Sequence, residues 1–328
     1  MINYPDGRPG CRLRLPAHDH GVVLRHGDPW DALGAREASI AVENGVFHLF
    51  YDGAGPTGWL ACLATSTDLV HWTKHGPVLD LGPPGADDSA TASSPWVFRA
   101  DDGWHMFYVG SPNATPPPGR IPAFPYLTCA ATSDQLAGPW RKTPELIPFR
   151  PVPGTYYADT ASPGAIIELD GEFLQFFSAS AGGDRPLRTL GLARTRDLGG
   201  RWELSAEPIL PPAEQIENST LHYEPGLDTW FLFTNHVGID ERGAEFTDAI
   251  WVYWSRDPRS WNPEHKAVVL DGANCSWSSR CLGMPTVIRY GDRLALLYDG
   301  PGGDSQDHLH RDLGLAWLDL PLSPPSRR

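Results

Sequence analysis

Two glutamates, Glu37 and Glu217, each stand two residues ahead of a serine at the start of a strand-like segment, in Glu37-Ala38-Ser39-Ile40 and Glu217-Asn218-Ser219-Thr220. Asp159, in Asp159-Thr160-Ala161-Ser162-Pro163, precedes another such segment, and Asp31, in Asp28-Pro29-Trp30-Asp31, lies just ahead of the first. A carboxylate is costly to bury unless it is paired, hydrogen-bonded or used. Brought to one cavity, acids of this kind suit general acid–base chemistry: one carboxyl is kept protonated by burial and a neighbouring negative charge, and the other is ionised. Residues so distant in the chain meet only if the elements that carry them surround a common centre.

The elements repeat. Runs rich in Val, Ile, Phe, Tyr and Trp come in pairs joined by polar turns: Ile40 to Val42 with Val46 to Tyr51, Trp96 to Phe98 with Trp104 to Tyr108, Ala165 to Ile167 with Phe173 to Phe177, Thr220 to His222 with Trp230 to Thr234, and Thr286 to Ile288 with Leu294 to Tyr298. Turns such as Glu43-Asn44-Gly45 and Leu169-Asp170-Gly171 tolerate positive φ and so close hairpins. Each of the first four pairs is followed by a third strand and then an Asp a few residues before a Trp: Asp68 and Trp72, Asp134 and Trp140, Asp197 and Trp202, Asp257 and Trp261. The tryptophans are 68, 62 and 59 residues apart. A period near sixty with four strands in each repeat predicts an all-β, five-bladed β-propeller and not a β-sandwich. The Asp and Trp of each repeat are read as structural, the Asp capping a turn and the Trp packing between blades.

This reading divides the chain into an N-terminal arm over 1–28, a propeller over 29–322 and a tail over 323–328. The fifth repeat ends early, at Leu313 to Leu318, and is expected to borrow Gly21 to Arg25 from the arm, which would cover two strand edges. First strands line the channel of a propeller. Aligning Ser39, Pro95, Pro163, Ser219 and Pro285 puts Glu37, Ser93, Ala161, Glu217 and Gly283 at one channel-facing position.

Composition excludes several functions. Lys+Arg 26 against Asp+Glu 40 gives a formal charge of -14, which repels nucleic-acid phosphates and anionic lipid, so neither nucleic acid nor membrane is expected as a partner. No run of ~18 uncharged apolar residues is present, and the opening segment has no apolar signal stretch, which points to a soluble, cytoplasmic protein. The five cysteines have no Cys-x-x-Cys spacing; only Cys275 and Cys281 are close enough for a local bridge, and buried free thiols are the commoner use. His18 with His20 and His308 with His310 form no complete metal site, and none is expected. Asp87-Asp88 reads as a turn.

The acids and their repeat resemble the five-bladed β-propeller glycosidases, the group of glycoside hydrolase family 43 and the related families 32 and 117. Glu217-Asn218-Ser219-Thr220-Leu221 resembles the family 43 acid motif E-G-P-T-L, Asp159 stands near that family's third-blade Asp, and Glu37-Ala38-Ser39-Ile40 stands where it has Asp-Pro-Ser-Ile, one residue out of phase. The resemblance implies a carbohydrate substrate, Glu217 as general acid, Asp159 as the residue that tunes it, and Glu37 or Asp31 as the base or nucleophile. It implies inversion, exo action on a furanoside or short oligosaccharide, and no required cofactor; a structural calcium is known among relatives, but no ligand set for it can be read here.

Trp30 and Trp96 are candidate sugar platforms, and His222, Asn235, His236 and Arg280 candidate substrate contacts. The loops Gly82-Pro83-Pro84 and Pro116-Pro117-Pro118 are expected to rim the entrance. Two alternatives stand beside this reading. One is a binding propeller without catalysis. The other is a phosphorylase resembling glycoside hydrolase family 130, which would need a cluster of basic residues; Arg36, Arg280 and Arg311 are dispersed in sequence.

Overall fold

The computed structural model describes residues 7–182, 187–239 and 245–326. Residues 1–6 of the expected arm and 327–328 of the expected tail lie outside them. The strands in chain order are β1 (His18–Leu24), β2 (Gly34–Glu43), β3 (Val46–Gly55), β4 (Gly58–Ser66), β5 (Thr73–Pro77), β6 (Thr91–Ala100), β7 (Gly103–Ser111), β8 (Asn113–Ala114), β9 (Pro122–Ala123), β10 (Tyr126–Ser133) and β11 (Arg141–Lys142). They continue as β12 (Thr160–Ser162), β13 (Ile166–Leu169), β14 (Glu172–Ala181), β15 (Leu187–Thr195), β16 (Glu203–Leu204), β17 (Ile216–Glu224), β18 (Thr229–Ile239), β19 (Glu245–Ser255), β20 (Lys266–Asp271), β21 (Thr286–Tyr290), β22 (Arg293–Gly300) and β23 (Asp312–Asp319). The fold is all-β, with no α-helix among the described residues.

Antiparallel pairing groups the strands into units: β2 to β5; β6, β7, β10 and β11; β12 and β13 with β14, β15 and β16; β17 to β20; and β21 to β23 with β1. In the last unit β1 pairs with β23, His18 opposite Trp317 and Leu24 opposite Leu313. Just upstream, Leu15 and Ala17 donate backbone hydrogen bonds to Val268 and Val269 of β20, so one N-terminal stretch ties the fourth unit to the fifth.

The second strand of each unit is apolar along most of its length because it is covered on both faces. Phe47 to Gly55 of β3, for instance, are all buried. An apolar cluster lies between each unit and the next: Phe50 and Leu63 with Met106 and Tyr108, Phe107 with Phe177 and Trp202, Phe176 with Leu232 and Trp251, Phe233 with Leu296, and Leu297 and Leu315 with Leu49 and Tyr51. The fifth unit therefore packs on the first. The turn residues behave as their types require: Asp68 accepts the N–H groups of Val70 and His71, Asp197 that of Gly199, and Asp257 that of Arg259. Trp140 meets Phe50, and Trp202 meets Phe107, edge to face across adjoining units.

The first strands of the first, second and fourth units share a β-bulge. Register shifts fall between Arg36 and Ser39, between Ser93 and Trp96, and between Glu217 and Thr220. Glu37, Ser94 and Asn218 take φ of 45°, 45° and 56° there, a left-handed backbone that re-aims the side chain. Pairing opposes Arg36 to Asp52, Ser93 to Val109, Ser162 to Ser178 and Glu217 to Asn235, and Gly283 donates to the Asp299 carbonyl. The structural counterpart of Glu217 is thus Arg36, and that of Glu37 is Asn218. The sequence alignment is out of phase by one residue in the first and third units because it matched Ser39 to Ser219 by residue type, whereas pairing makes Ser39, opposite Phe50, the counterpart of Thr220, opposite Phe233.

Candidate active site

The bulged positions of the first, second and fourth units converge on one cavity of about 380 Å³. Arg36, Glu37 and Asp52 come from the first unit, Ser93 and Ser94 from the second, Ser162 and Ser178 from the third, Glu217 and Asn218 from the fourth, and His308 from the loop between β22 and β23. A narrow inner extension adds Asn235, Gly283, Met284 and Arg311. Beneath, Trp96, Ala165, Met284 and Leu221 form an apolar cluster drawn from four units.

Hydrogen bonds between units fix the bulges. Asp299 accepts the Glu37 N–H at 3.0 Å, Asp52 accepts the Ser94 N–H, and Ser178 Oγ accepts the Asn218 N–H at 2.8 Å. Asn235 Nδ2 donates to the carbonyls of Leu282 and Gly283 at 2.8 and 2.9 Å. In each of the first three, a polar side chain on the second strand of one unit holds the left-handed residue of the next, so the positions of Glu37 and Asn218 depend on the packing between units and not on their own strand alone.

Glu37 accepts hydrogen bonds from the Arg36 guanidinium and, at 2.6 Å, from the Ser94 hydroxyl, partners suited to an ionised carboxylate. Glu217 is in a different environment. Burial raises its pKa, the Arg188 guanidinium 3.7 Å away opposes that, and the nearby Glu245 carboxylate adds to it. Arg188 is committed mainly to Glu245, through bonds of 2.9 and 2.6 Å, and lies over the rings of Phe124 and Tyr126. A carboxyl with a raised pKa beside a second, hydrogen-bonded carboxylate is what proton donation and water activation require. Asp52 is almost wholly buried, and burial lifts its pKa to about 7 against the pull of Arg36. His308 Nδ1 lies 3.3 Å from Arg36 Nη1; a guanidinium only donates, so Nδ1 accepts and Nε2 carries the proton. Burial, with Arg36 and Arg311 beside it, pushes the His308 pKa to about 3, so the ring is neutral.

Glu37, Glu217 and Asn235 are brought together. Asp31 lies elsewhere, fully buried, accepting from Gly27 N, Asp28 N, Tyr51 Oη and Lys74 Nζ. Asp88 is its counterpart in the second unit, bound by Tyr108 Oη and Lys142 Nζ, so Asp87-Asp88 holds a buried anchor and not a plain turn. Asp159 is half-buried ahead of β12 and lines neither part of the cavity; the carboxylate beside Glu217 is Glu245.

Trp30 is packed against Gly76 and donates to Tyr51 Oη, and its carbonyl lies where a Cβ on Gly53 or Gly55 would intrude. Trp96 is core, His222 meets Glu224 at 3.4 Å, His236 is sealed between Arg8, Asp248 and the Trp251 ring, and Arg280 is exposed. Five cysteines are free, Cys275 and Cys281 included. Among the described residues no group of three or more His, Cys, Asp or Glu side chains could hold a metal, and no helix is long and apolar enough to cross a membrane.

Asp52, Glu245, Arg188 and His308 were not assigned to the site from the sequence, although Arg36 and Arg311 were noted. One signal for Asp52 was present: Tyr51-Asp52-Gly53 recurs as Tyr298-Asp299-Gly300, at the same place in two units. Of the two Pro-rich loops, Gly82-Pro83-Pro84 supplies no lining residue. The segment through Pro116-Pro117-Pro118 leads to Ile121, Pro122 and Phe124, which line the cavity, and Trp59 Nε1 donates to the Gly119 carbonyl at 2.9 Å.

No family profile matches the chain. A probable sucrose-6-phosphate hydrolase of Psychromonas ingrahamii is 35% identical over 91 residues, covering 26% of this chain and 16% of that protein. Among solved structures, the chain is similar to the catalytic domain of the Coprinopsis cinerea GH62 alpha-L-arabinofuranosidase, with 15% identity, a TM-score of 0.62 and coverage of 93% of this chain and 98% of the other. It is also similar to a family 117 glycoside hydrolase produced by the marine bacterium Zobellia galactanivorans, with 14% identity, a TM-score of 0.64 and coverage of 95% and 94%. At these identities the likeness establishes a shared fold, that of propeller-type glycoside hydrolases.

Proposed function

We propose that the chain is a glycoside hydrolase built as a five-bladed β-propeller, with Glu217 as general acid and Glu37 as the base. The observation that carries this reading is the joint presence in one cavity of a carboxyl whose pKa burial raises and a carboxylate held by Arg36 and Ser94. Glycoside cleavage needs a proton at the leaving oxygen and a carboxylate acting from the opposite face of the sugar. Glu245 takes the tuning role that the family resemblance implies for Asp159, and Asp31, saturated by four donors, leaves the base role to Glu37.

Inversion is the favoured outcome. The resemblance to family 43 favours it; an inverting pair stands apart by about 6.5–9.5 Å to admit water between them, and a retaining pair by about 5–5.5 Å. Exo action on a furanoside or short oligosaccharide accords with a compact cavity that Ile121, Pro122 and Phe124 help to line. The Nε2–H of His308 is a candidate contact to a sugar hydroxyl, whereas Asn235, buried and with both amide hydrogens given to Leu282 and Gly283, is a packing contact between units.

A phosphorylase is the rival reading, because Arg36, Arg188 and Arg311 do converge here, together with His308. Each arginine, however, is paired with a carboxylate: Glu37, Glu245 and Asp299. Asp52 and Glu217 add no positive charge, so the cavity offers phosphate no surplus of cations. Hydrolysis is therefore preferred.

A screen of nitrophenyl furanosides and pyranosides in the presence and absence of phosphate identifies a sugar that wild type turns over, and wild type and Glu217→Gln are then compared on the corresponding alkyl glycoside, whose leaving oxygen needs a proton. We expect phosphate-independent turnover that falls by about 10²–10⁴-fold in the variant, the range for loss of a general acid. Unchanged turnover in Glu217→Gln would remove that residue from the donor role, and a rate that required phosphate would favour the phosphorylase.

A further inference from the structure

Ser94 stands between two carboxyls. Its Oγ lies 2.6 Å from Glu37 Oε2 and 3.2 Å from Asp52 Oδ2, while its backbone N–H donates to Asp52 Oδ1. A hydroxyl carries one proton and cannot donate to both oxygens. The shorter contact takes that proton. The contact with Oδ2 is then a hydrogen bond only if Asp52 supplies the proton, and Oδ1, already an acceptor, leaves Oδ2 as the oxygen that bears it.

We propose that Asp52 is a positioning residue: as a neutral acid it donates to Ser94 Oγ, which donates to Glu37 Oε2, and this order of hydrogen bonds holds the Glu37 carboxylate in place. The inference rests on Glu37 acting as the base. The charged and titratable groups around Asp52 are Arg36, opposite it on β2; Glu37, beyond Ser94; Asp299 on β22; and the Cys62 thiol on β4, which burial keeps protonated. Burial favours the neutral acid most, and Asp299 adds to it while Arg36 and the Ser94 N–H oppose it. When Asp52 ionises, Oδ2 competes with Glu37 for the single Ser94 proton and a second negative charge joins the network. Activity should then fall as pH rises through the Asp52 titration.

Asp52→Asn separates order from titration. Its amide can donate to Ser94 Oγ and accept from the Ser94 N–H, so the hydrogen bonds survive without an ionisable group. Infrared difference spectra between pH 5.5 and 8.5 should show loss of a protonated-carboxyl carbonyl band with a midpoint near pH 7 in wild type, and that component should be absent from Asp52→Asn. On a turned-over nitrophenyl glycoside, Asp52→Asn should keep kcat/KM within about threefold of wild type at pH 6 and lose the decline centred near pH 7. Ser94→Ala should lower kcat about tenfold or more with little change in KM, while keeping the Asp52 band. Matching infrared titrations in wild type and Asp52→Asn overturn the proposal, whatever the activity. Absence of glycoside turnover would instead sink the functional reading, and the infrared comparison would still decide the protonation of Asp52.

Discussion

Asp31 and Glu37 lie on either side of the entry into β2, and the sequence offers both as the base. Asp31 has no solvent exposure and four donors on its two oxygens, among them Lys74 Nζ at 2.7 Å and Tyr51 Oη at 3.0 Å. The Glu37 side chain keeps 18% exposure, and its strand is bulged at that residue so that it faces the cavity. The second unit repeats the first arrangement in Asp88, Tyr108 and Lys142, and the fourth does so in Glu214, Tyr253 and Lys266. A carboxylate saturated by donors is an anchor, and one left with an open face can do chemistry. Recurrence marks the anchor, because packing needs it in several units, whereas the reaction needs Glu37 once.

Substituting each residue in turn separates the two roles most sharply. Glu37→Gln should lower kcat by about 10²–10⁴-fold while leaving the urea midpoint near that of wild type. Asp31→Asn should do the reverse, costing about 3 kcal/mol of stability by removing one partner of a buried ion pair, with kcat per folded molecule within about threefold. A folded Asp31→Asn protein that had lost turnover, beside an active Glu37→Gln, would exchange the two roles. Asp88→Asn extends the test to the second unit, where a similar loss of stability without loss of kcat is expected in urea titration.

The acid is open to a finer test through pH. The Glu245 carboxylate helps to keep the Glu217 proton in place, so Glu245→Gln lowers the Glu217 pKa and also frees Arg188 to pair with it. The alkaline limb of kcat/KM should move to lower pH, and an unmoved or rising limb would detach Glu245 from the tuning role. The smallest effects belong to residues outside the cavity. Asp159→Asn and Arg280→Ala should leave kcat/KM within about twofold, since neither side chain lines it.

Much of the fold was legible because it is written several times. Hairpin turns, the Asp-to-Trp turn and a period near sixty are local features, and Trp72, Trp140, Trp202 and Trp261 mark them at a glance. The site was legible in part. Glu37 and Glu217 were singled out and both line the cavity, but the serines at 39 and 219 look equivalent in sequence and are one residue apart in register, so the phase of the first unit slipped by one. Arg188 and Glu245 begin third strands, and His308 lies in a loop; their meeting with Glu217 or Arg36 comes from packing between units. Asp159 shows the opposite case, a residue near the right strand whose side chain the fold leaves outside.

For the proposed chemistry to hold, acids from the first and fourth units must act on one bond in the shared cavity. A crystal structure of Glu217→Gln soaked with a glycoside that wild type turns over decides whether they do. We expect the anomeric carbon between the Glu37 carboxylate and the amide at position 217, with the glycosidic oxygen in hydrogen-bond reach of that amide. A sugar bound outside the cavity, or one whose anomeric carbon lies far from Glu37, would overturn the assignment of both acids.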